Sequence, residues 1–175
     1  DAKGNLLESA AAERTSVLDP AVAFLLTGLL ETVVKEGTGR GLAAFGWNWP
    51  AAGKTGTTNE GSDAWFVGYT PRLAAGVWVG EDRRRALKLT GAKDALPIWA
   101  RFMLRASGPE SGAFIEPPGL VKAKIDPLTG MRAVSGCPQR AEEIFVKGTE
   151  PPYCTLHKGG IGGFFNRLFG KTKQN

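Results

Sequence analysis

Residues 51–80 read AAGKTGTTNEGSDAWFVGYTPRLAAGVWVG, and the residue types in this segment indicate a β-sheet. Three pieces of it, residues 51–58, 65–69 and 73–80, have the β-branched, aromatic and small residues typical of strands. Only short turn-forming segments, residues 59–63 and 70–72, separate these pieces. Because connections of a few residues join antiparallel neighbours, the stretch predicts a three-stranded antiparallel meander.

A helix is predicted on each side of this meander. Asp19 and Pro20 begin the first helix, since Asp accepts from free helix N–H groups and Pro fits the first helical position, and Gly37 ends it. Asp94 is predicted to cap the second helix. The sequence thus predicts an α+β fold in which helices pack on an antiparallel sheet, with Trp65, Phe66, Trp78 and Trp99 in the core. Apolar residues at helical spacing predict the buried helix faces: Val22, Leu25, Leu26, Leu29, Leu30, Val33 and Val34, then Ala95, Ile98, Trp99, Phe102, Met103 and Ala106.

A different region follows the second helix. Val121, Ala123 and Ile125 alternate with lysines, as expected of a half-buried strand, and residues 126–130 (DPLTG) form a turn. We therefore divide the chain into a main domain at residues 1–108, a small β-rich extension at 109–157 and a Gly-rich tail at 158–175 that is expected to be disordered. Residues 1–5 are turn-like, so we expect the natural protein to extend upstream.

The net charge of +5 is concentrated in the tail. Residues 158–175 carry four basic residues and no acidic residue, which leaves +1 for residues 1–157. A nearly neutral body lacks the basic surface that nucleic-acid binding needs, so this class of function is excluded. Basic and aromatic residues in the tail allow a weak contact with an anionic membrane surface. No apolar run reaches the about 20 residues of a membrane-spanning helix.

Cys137 and Cys154 allow at most one disulfide, and the sequence leaves this bridge and two separate thiols equally open. Together with His157, the two cysteines could supply three metal ligands. Because the two-plus-two ligand spacing of zinc sites is missing, no metal is predicted.

The segment AGKTGTT at residues 52–58 has three interpretations. A phosphate-binding loop would need a glycine at position 48, where the chain has Asn48, and a helix directly after it. A solvated turn with a surface lysine is the second interpretation. In the third, Lys54-Thr55-Gly56 resembles the Lys-Thr-Gly strand of penicillin-binding proteins and serine β-lactamases.

The chemistry of an edge strand suits the third interpretation. An extended substrate backbone can bind along the free edge of such a strand. Lys54 would place a positive charge beside the nucleophile and the substrate carboxylate, to which Thr55 and Thr57 offer hydroxyls. Gly56 removes a side chain where the substrate approaches, and the N–H of Thr57 could donate to an oxyanion.

The resemblance extends over about residues 5–157. Its segments resemble the transpeptidase domain of a class A penicillin-binding protein and the C-terminal extension of that family. The loop at residues 37–39 and the extension favour class A over class B proteins and over β-lactamases. The matching segments are VKEGTG (34–39), AGKTGTTN (52–59), DAWFVGYTP (63–71), GVWVG (76–80), ALPIW (95–99), IDPLTG (125–130) and GTEP (148–151).

The resemblance implies a fold similar to penicillin-binding proteins and serine β-lactamases, of which the chain holds a part. It implies a peptidoglycan D,D-transpeptidase that cross-links stem peptides ending in D-Ala-D-Ala through an acyl-serine intermediate and needs no cofactor. β-Lactam antibiotics would trap the same serine. The implied catalytic residues are Lys54 and Thr57, and the implied substrate-binding residues are Thr55, Gly56, Thr57 and Thr58.

The resemblance also implies a longer parent protein. That parent would be periplasmic, anchored to the inner membrane through an upstream segment, and would carry a glycosyltransferase domain. The family's Ser-x-x-Lys and Ser-x-Asn motifs match none of the six serines of this sequence. Thr32-Val33-Val34-Lys35 has the spacing of the first motif but lacks its serine, so we interpret it as structural.

The chain alone is therefore predicted to be inactive and to need the remainder of the same polypeptide. The alternative is a non-catalytic binding or regulatory module of a cell-wall protein.

Overall fold

The structure is a computed structural model, and it describes residues 3–8, 15–81, 87–107 and 112–157. The main domain contains two helices and three strands, and the extension contains three further strands. Short 3₁₀ segments at Arg40–Phe45 and Asn59–Gly61 and a π-type turn at Gly91–Ala95 complete the main domain. The helices and strands are α1 (Pro20–Lys35), β1 (Ala52–Thr57), β2 (Asp63–Tyr69), β3 (Ala74–Gly80), α2 (Leu96–Ala106), β4 (Leu120–Asp126), β5 (Met131–Arg132) and β6 (Ala141–Val146).

The first three strands form the predicted antiparallel meander, in the order β1-β2-β3. Lys54 pairs with Val67, Gly56 pairs with Trp65, and Trp65 pairs with Trp78. Since alternate strand residues share a face, Lys54, Trp65, Val67 and Trp78 lie on one face of the sheet. Trp65, Val67 and Trp78 are 44%, 52% and 45% exposed. The prediction that Trp65 and Trp78 belong to the core is therefore wrong, because their face of the sheet is half open.

The opposite face of the sheet carries the core of the main domain. Phe66 and Trp99 are fully buried, as predicted, and their ring centroids lie 5.0 Å apart. Trp47 extends the aromatic cluster, with its centroid 5.4 Å from that of Trp99. The indole N–H of Trp99 donates to the carbonyl oxygen of Ala75 at 3.0 Å. This bond ties α2 to β3, so the position of α2 under the sheet is determined by its largest side chain.

Helix α1 begins as predicted, because a carboxylate oxygen of Asp19 accepts from the backbone N–H groups of Ala21 and Val22. The predicted buried face is only partly correct. Val34 is buried, whereas Leu26 and Leu29 are 45% and 66% exposed. The apolar stripe of α1 is wider than the surface that the described residues offer to cover it.

The cap and the buried face of α2 differ from the prediction. Thr90 caps the turn before α2 by accepting from the N–H of Lys93, while Asp94 accepts from the N–H of Thr90 at 2.7 Å. Ile98 and Phe102 were expected inside but are 48% and 51% exposed. Trp99 is fully buried against Phe66, and the buried face of α2 consists of Leu96, Trp99, Ala100 and Met103.

The extension forms a second antiparallel sheet in the order β5-β4-β6. Ile125 of β4 is buried, while Lys122 and Lys124 are exposed, so the predicted alternation is confirmed. An edge-to-face contact between Tyr69 and Phe114, with centroids 5.8 Å apart, joins the start of this region to the main domain. The boundaries 1–108 and 109–157 stay predictions.

Among the described residues, no helix combines the length and the apolar character that crossing a membrane requires. The tail at residues 158–175, with its predicted disorder and membrane contact, lies outside the described residues.

Candidate functional site

Strand β1 has a strand partner on one side only within the described residues. The N–H of Thr58, directly after β1, donates to the carbonyl oxygen of Asp63 at 3.1 Å, so Thr58 faces β2. Residues of an antiparallel pair alternate between those that bond to the partner strand and those whose backbone groups point away from it. The N–H and C=O groups of Thr55 and Thr57 are therefore directed to the free edge of β1.

The ammonium group of Lys54 lies beside this free edge. Its Nζ donates to the carbonyl oxygen of Thr55 at 2.8 Å and approaches the Thr55 hydroxyl at 3.3 Å. Lys54 is exposed, and within the described part of the chain no carboxylate forms an ion pair with it. The edge thus offers a positive charge that can pair with an anionic group of a ligand.

The Thr55 hydroxyl is held by the loop that follows α1. Its oxygen lies 2.7 Å from the hydroxyl oxygen of Thr38. The N–H of Gly39 donates to the carbonyl oxygen of Val33, in the last turn of α1, at 3.0 Å. A Cβ at Gly37 would lie only 2.9 Å from the Cα of Val33. The glycines therefore let the loop fold tightly against α1, and this places Thr38 against β1.

The Thr57 hydroxyl is held by the turn that precedes α2. It accepts a hydrogen bond from the N–H of Gly91 at 3.1 Å. A Cβ at Gly91 would lie 2.7 Å from the carbonyl oxygen of Gly56 and closer still to that of Trp65, so only glycine fits there. Because this N–H uses one lone pair of the hydroxyl, the hydroxyl proton can be donated to a ligand.

Thr58 is engaged in the turn that follows β1. Its hydroxyl accepts from the N–H of Asp63 at 2.8 Å and donates to the Asp63 carboxylate at 3.2 Å. The indole N–H of Trp78 donates to the other oxygen of that carboxylate at 2.9 Å. The predicted substrate contact of Thr58 therefore rests on the resemblance alone. This turn borders an open cleft of ≈ 590 Å³, lined by Thr57, Thr58, Asn59, Glu60, Ser62 and Asp63.

The Thr32–Lys35 segment has contacts that support its structural interpretation. The Thr32 hydroxyl donates to the carbonyl oxygen of Gly28 in the same helix at 3.0 Å. Lys35 pairs with Glu31 at 3.4 Å. Both groups thus contact the helix that carries them.

A second polar cluster lies in the extension. Cys137 and Cys154 are buried free thiols, so the disulfide that the sequence left open is not formed in this structure. One potential ligand atom from each of four residues, Asp126, Cys137, Cys154 and His157, lies within 4.8 Å of all the others. Asp126 is fully buried, and its Oδ2 is 2.6 Å from Nδ1 of His157.

The surroundings shift the pKa values of this cluster. The backbone N–H of His157, which donates to the Cys154 sulfur, lowers the pKa of Cys154 to about 7. Burial raises the pKa of Cys137. Burial alone would also raise the pKa of Asp126, but hydrogen bonds from Leu128, Cys137 and His157 outweigh it and lower that pKa. Burial opposes the charged imidazole, yet the contacts with Asp126 and Cys154 raise the pKa of His157.

Sequence reasoning missed three residues of these two sites. Thr38 had a signal in its flanking glycines, but its partner on β1 is 17 positions away. Gly91 had no signal in the sequence, because its role depends on the carbonyl oxygens of Gly56 and Trp65, which only the folded chain brings next to it. Asp126 was interpreted as part of a turn, and the candidate metal ligands in the sequence were Cys137, Cys154 and His157 alone.

Two family models match the chain. "Penicillin binding protein transpeptidase domain" matches residues 8–97, and "Penicillin-binding protein 1A, C-terminal domain" matches residues 116–159. Penicillin-binding protein 1A of Pseudomonas aeruginosa is 40% identical over 148 residues, which are 83% of this chain and 18% of that protein. Penicillin-binding protein 2D of Bacillus subtilis is 38% identical over 160 residues, 86% of this chain and 23% of that protein.

A solved structure is also similar. The crystal structure of penicillin-binding protein 1A from Haemophilus influenzae matches with a TM-score of 0.68 at 32% identity, covering 77% of this chain and 21% of that chain. The resemblance found in the sequence and the predicted α+β fold are both confirmed by these matches. The chain spans about a fifth of the length of these relatives.

Proposed function

Because the chain belongs to the family of penicillin-binding protein transpeptidase domains, we propose that it is the part of a peptidoglycan D,D-transpeptidase that binds the donor stem peptide. The observation that carries this proposal is the free edge of β1. There the N–H of Thr57, the hydroxyl of Thr57 and the ammonium group of Lys54 are all presented to a ligand.

The proposed ligand is an extended stem peptide that ends in D-Ala-D-Ala. Its backbone lies along β1 as an added strand, bonding to the edge-facing groups of Thr55 and Thr57. Its terminal carboxylate lies near the Lys54 ammonium and accepts from the Thr57 hydroxyl. Gly56 leaves room for the peptide, since it adds no side chain to the face that also carries Lys54.

The proposed reaction proceeds through an acyl-enzyme. A serine oxygen supplied by the upstream part of the polypeptide attacks the carbonyl carbon of the D-Ala-D-Ala bond, and the N–H of Thr57 donates to the resulting oxyanion. The C–N bond then breaks, and the terminal D-Ala leaves with a proton on its amine. An amine of a second stem attacks the ester, which forms the cross-link and returns a proton to the serine. No cofactor enters this reaction.

The half-open face of the sheet supports the proposal that this chain holds only part of the active site. Trp65, Val67 and Trp78 leave that face, which also carries Lys54, about half exposed. A protein some five times longer has ample chain to cover these apolar side chains. We propose that the upstream part of the polypeptide packs there and brings the serine to Lys54. The 175-residue chain alone is then inactive.

β-Lactam antibiotics would acylate the same serine in the parent protein. The proposed location is the periplasm, with an upstream segment as the anchor in the inner membrane and an upstream glycosyltransferase domain.

The test is acylation of the full-length parent by a fluorescent penicillin. We expect rapid labelling of the wild type and an at least about 100-fold slower acylation of Lys54→Ala, because a charge directed at the reacting centre is lost. Lys147→Ala removes an exposed lysine from the extension and serves as the matched control with unchanged labelling. The 175-residue chain should show no change of intact mass with penicillin.

Two results would overturn the proposal. A folded wild-type parent that is not labelled would instead favour a non-catalytic binding module. Equal labelling of wild type and Lys54→Ala would show that β1 is not part of the acylation site.

A further inference from the structure

The extension has very few buried side chains on which to fold. Among its described residues, 112–157, the buried side chains are those of Ile125, Asp126, Cys137 and Cys154. Only the first of these is a hydrocarbon. Small modules of this size are rarely stable from their hydrophobic core alone and usually contain a disulfide or a metal. The structure has free thiols at Cys137 and Cys154, so the disulfide is not present to fill this role.

We propose that Asp126, Cys137, Cys154 and His157 bind a Zn²⁺ ion that holds the extension together. The four residues supply one carboxylate oxygen, two sulfurs and one imidazole nitrogen, all within 4.8 Å of one another. Sulfur and imidazole ligands in a four-coordinate set are the ligands that zinc prefers in proteins. Asp126 ends β4, Cys137 lies in the loop between β5 and β6, and Cys154 and His157 follow β6. The ion would therefore join these three segments.

Two distances from the Cys154 sulfur to other ligand atoms fit this ion. Tetrahedral zinc, with bonds of about 2.0 to 2.3 Å, places its ligand atoms about 3.3 to 3.8 Å apart. The Cys154 sulfur is 3.6 Å from Nδ1 of His157 and 3.8 Å from Oδ2 of Asp126. By contrast, Nδ1 of His157 and Oδ2 of Asp126 are only 2.6 Å apart, which is the length of a hydrogen bond. Of these three pairs, zinc binding would widen only this one, by about 0.7 to 0.8 Å.

The backbone around the sulfurs is arranged for thiolates. The N–H of Val134 donates to the Cys137 sulfur at 3.3 Å, and the N–H of His157 donates to the Cys154 sulfur at 3.4 Å. Such bonds stabilise a charged sulfur and orient it toward a metal. The other Asp126 oxygen, Oδ1, accepts from the N–H of Leu128 at 3.0 Å, which leaves Oδ2 directed at the cluster.

The charges and protons of the binding step balance. Two thiolates, one carboxylate and a neutral imidazole bind the dication, so the filled site has a net charge of −1. Binding releases the two thiol protons and the proton shared by Nδ1 and Oδ2. Because four protein groups fill the coordination sphere, no position remains for water or substrate, and the site is structural. His157 is 24% exposed and marks the side from which the ion enters.

The experiment uses the 175-residue chain, reduced and stripped of metal by a chelator. Native mass spectrometry with added Zn²⁺ should show one bound ion per chain. Added Co²⁺ should give the visible bands of a tetrahedral ion together with a sulfur-to-cobalt charge-transfer band. One equivalent of Zn²⁺ should slow the reaction of both thiols with a thiol reagent by at least about tenfold, because ligation removes the free thiolate.

Two variants sharpen the assignment. Cys154→Ser should abolish the charge-transfer band or weaken it strongly, while Glu142→Gln, which changes an exposed carboxylate on β6, should leave binding unchanged. The thiol-protection measurement on the wild type does not depend on whether Cys154→Ser folds.

Any of three results would overturn the proposal. These are a folded, reduced wild type that takes up no zinc, zinc uptake without thiol protection, and a Cys137–Cys154 disulfide that dissolved oxygen forms in the presence of equimolar zinc.

Discussion

The edge of β1 and the cluster in the extension are both polar, but they differ in exposure. Lys54 and Thr57 are exposed, and their groups are directed at a free strand edge. Asp126, Cys137 and Cys154 are buried and contact one another or His157. An exposed polar group can keep a donor for an incoming ligand because water solvates it until the ligand arrives. A buried polar group needs its partners within the chain.

Because of this difference, the two regions depend on different partners. The edge of β1 needs a peptide and the rest of the polypeptide to become a site. The cluster in the extension has every protein group that it needs within the chain. Mutations and ligands should therefore act differently on the two regions, and the following predictions test that contrast in order of decreasing effect.

The largest effect is expected from truncating the core of the main domain. Trp99→Ala should lower the free energy of unfolding of the 175-residue chain by about 3–5 kcal/mol, because it leaves a cavity beneath the sheet. Trp65→Ala should cost only about 1 kcal/mol, since that ring is half exposed. Urea unfolding curves measure both values. Similar losses for the two variants would show that the face with Trp65 is already covered in this chain.

Zinc should protect the extension and leave the sheet of the main domain unchanged. At free zinc 100-fold above its dissociation constant, openings that release the ion should become about 100-fold rarer. Hydrogen exchange of the β4 and β6 amides should slow accordingly, while exchange in β2 stays the same. Equal protection of both sheets would mean that the ion does not act on the extension specifically.

Thr57 should matter through the carboxylate of the ligand. In the full-length parent, Thr57→Val should slow acylation by penicillin about 10- to 100-fold, since a hydrogen bond to a charged group is lost. Thr57→Ser should restore most of the rate. The methyl ester of the same penicillin, which lacks the carboxylate charge, should react equally slowly with wild type and Thr57→Val. A parallel loss with acid and ester would assign Thr57 another role.

The smallest effect is expected at Thr38. Thr38→Val removes the hydroxyl that contacts Thr55 and should slow acylation about 2- to 10-fold, the effect of one neutral hydrogen bond. Thr32→Val is the matched control, because its hydroxyl bonds only within α1 among the contacts described. Acylation rates of the full-length parent would measure both. A Thr38→Val rate equal to that of wild type would place Thr38 outside the site.

Much of the local structure could be predicted. The cap at Asp19, the three strands of the meander and the alternation in β4 follow from residue types and spacing over a few positions. The faces of the helices could not be predicted as well. Leu26, Leu29, Ile98 and Phe102 are apolar at helical spacing, yet they are exposed because the docking of each helix decides which of its apolar residues meet the sheet.

From the sequence alone we obtained the two helices, the three-stranded meander with its Lys54-Thr55-Gly56 strand, the strand at residues 121–125 and the family to which the resemblance pointed. These depend on local backbone preferences and on short ordered motifs. The folded structure was needed to show that Thr38 and Gly91 hold the two hydroxyls of β1, and that Asp126 lies with both cysteines and His157. Each of those contacts joins residues at least 11 positions apart, and such contacts exist only once the packing of the chain has brought distant segments together.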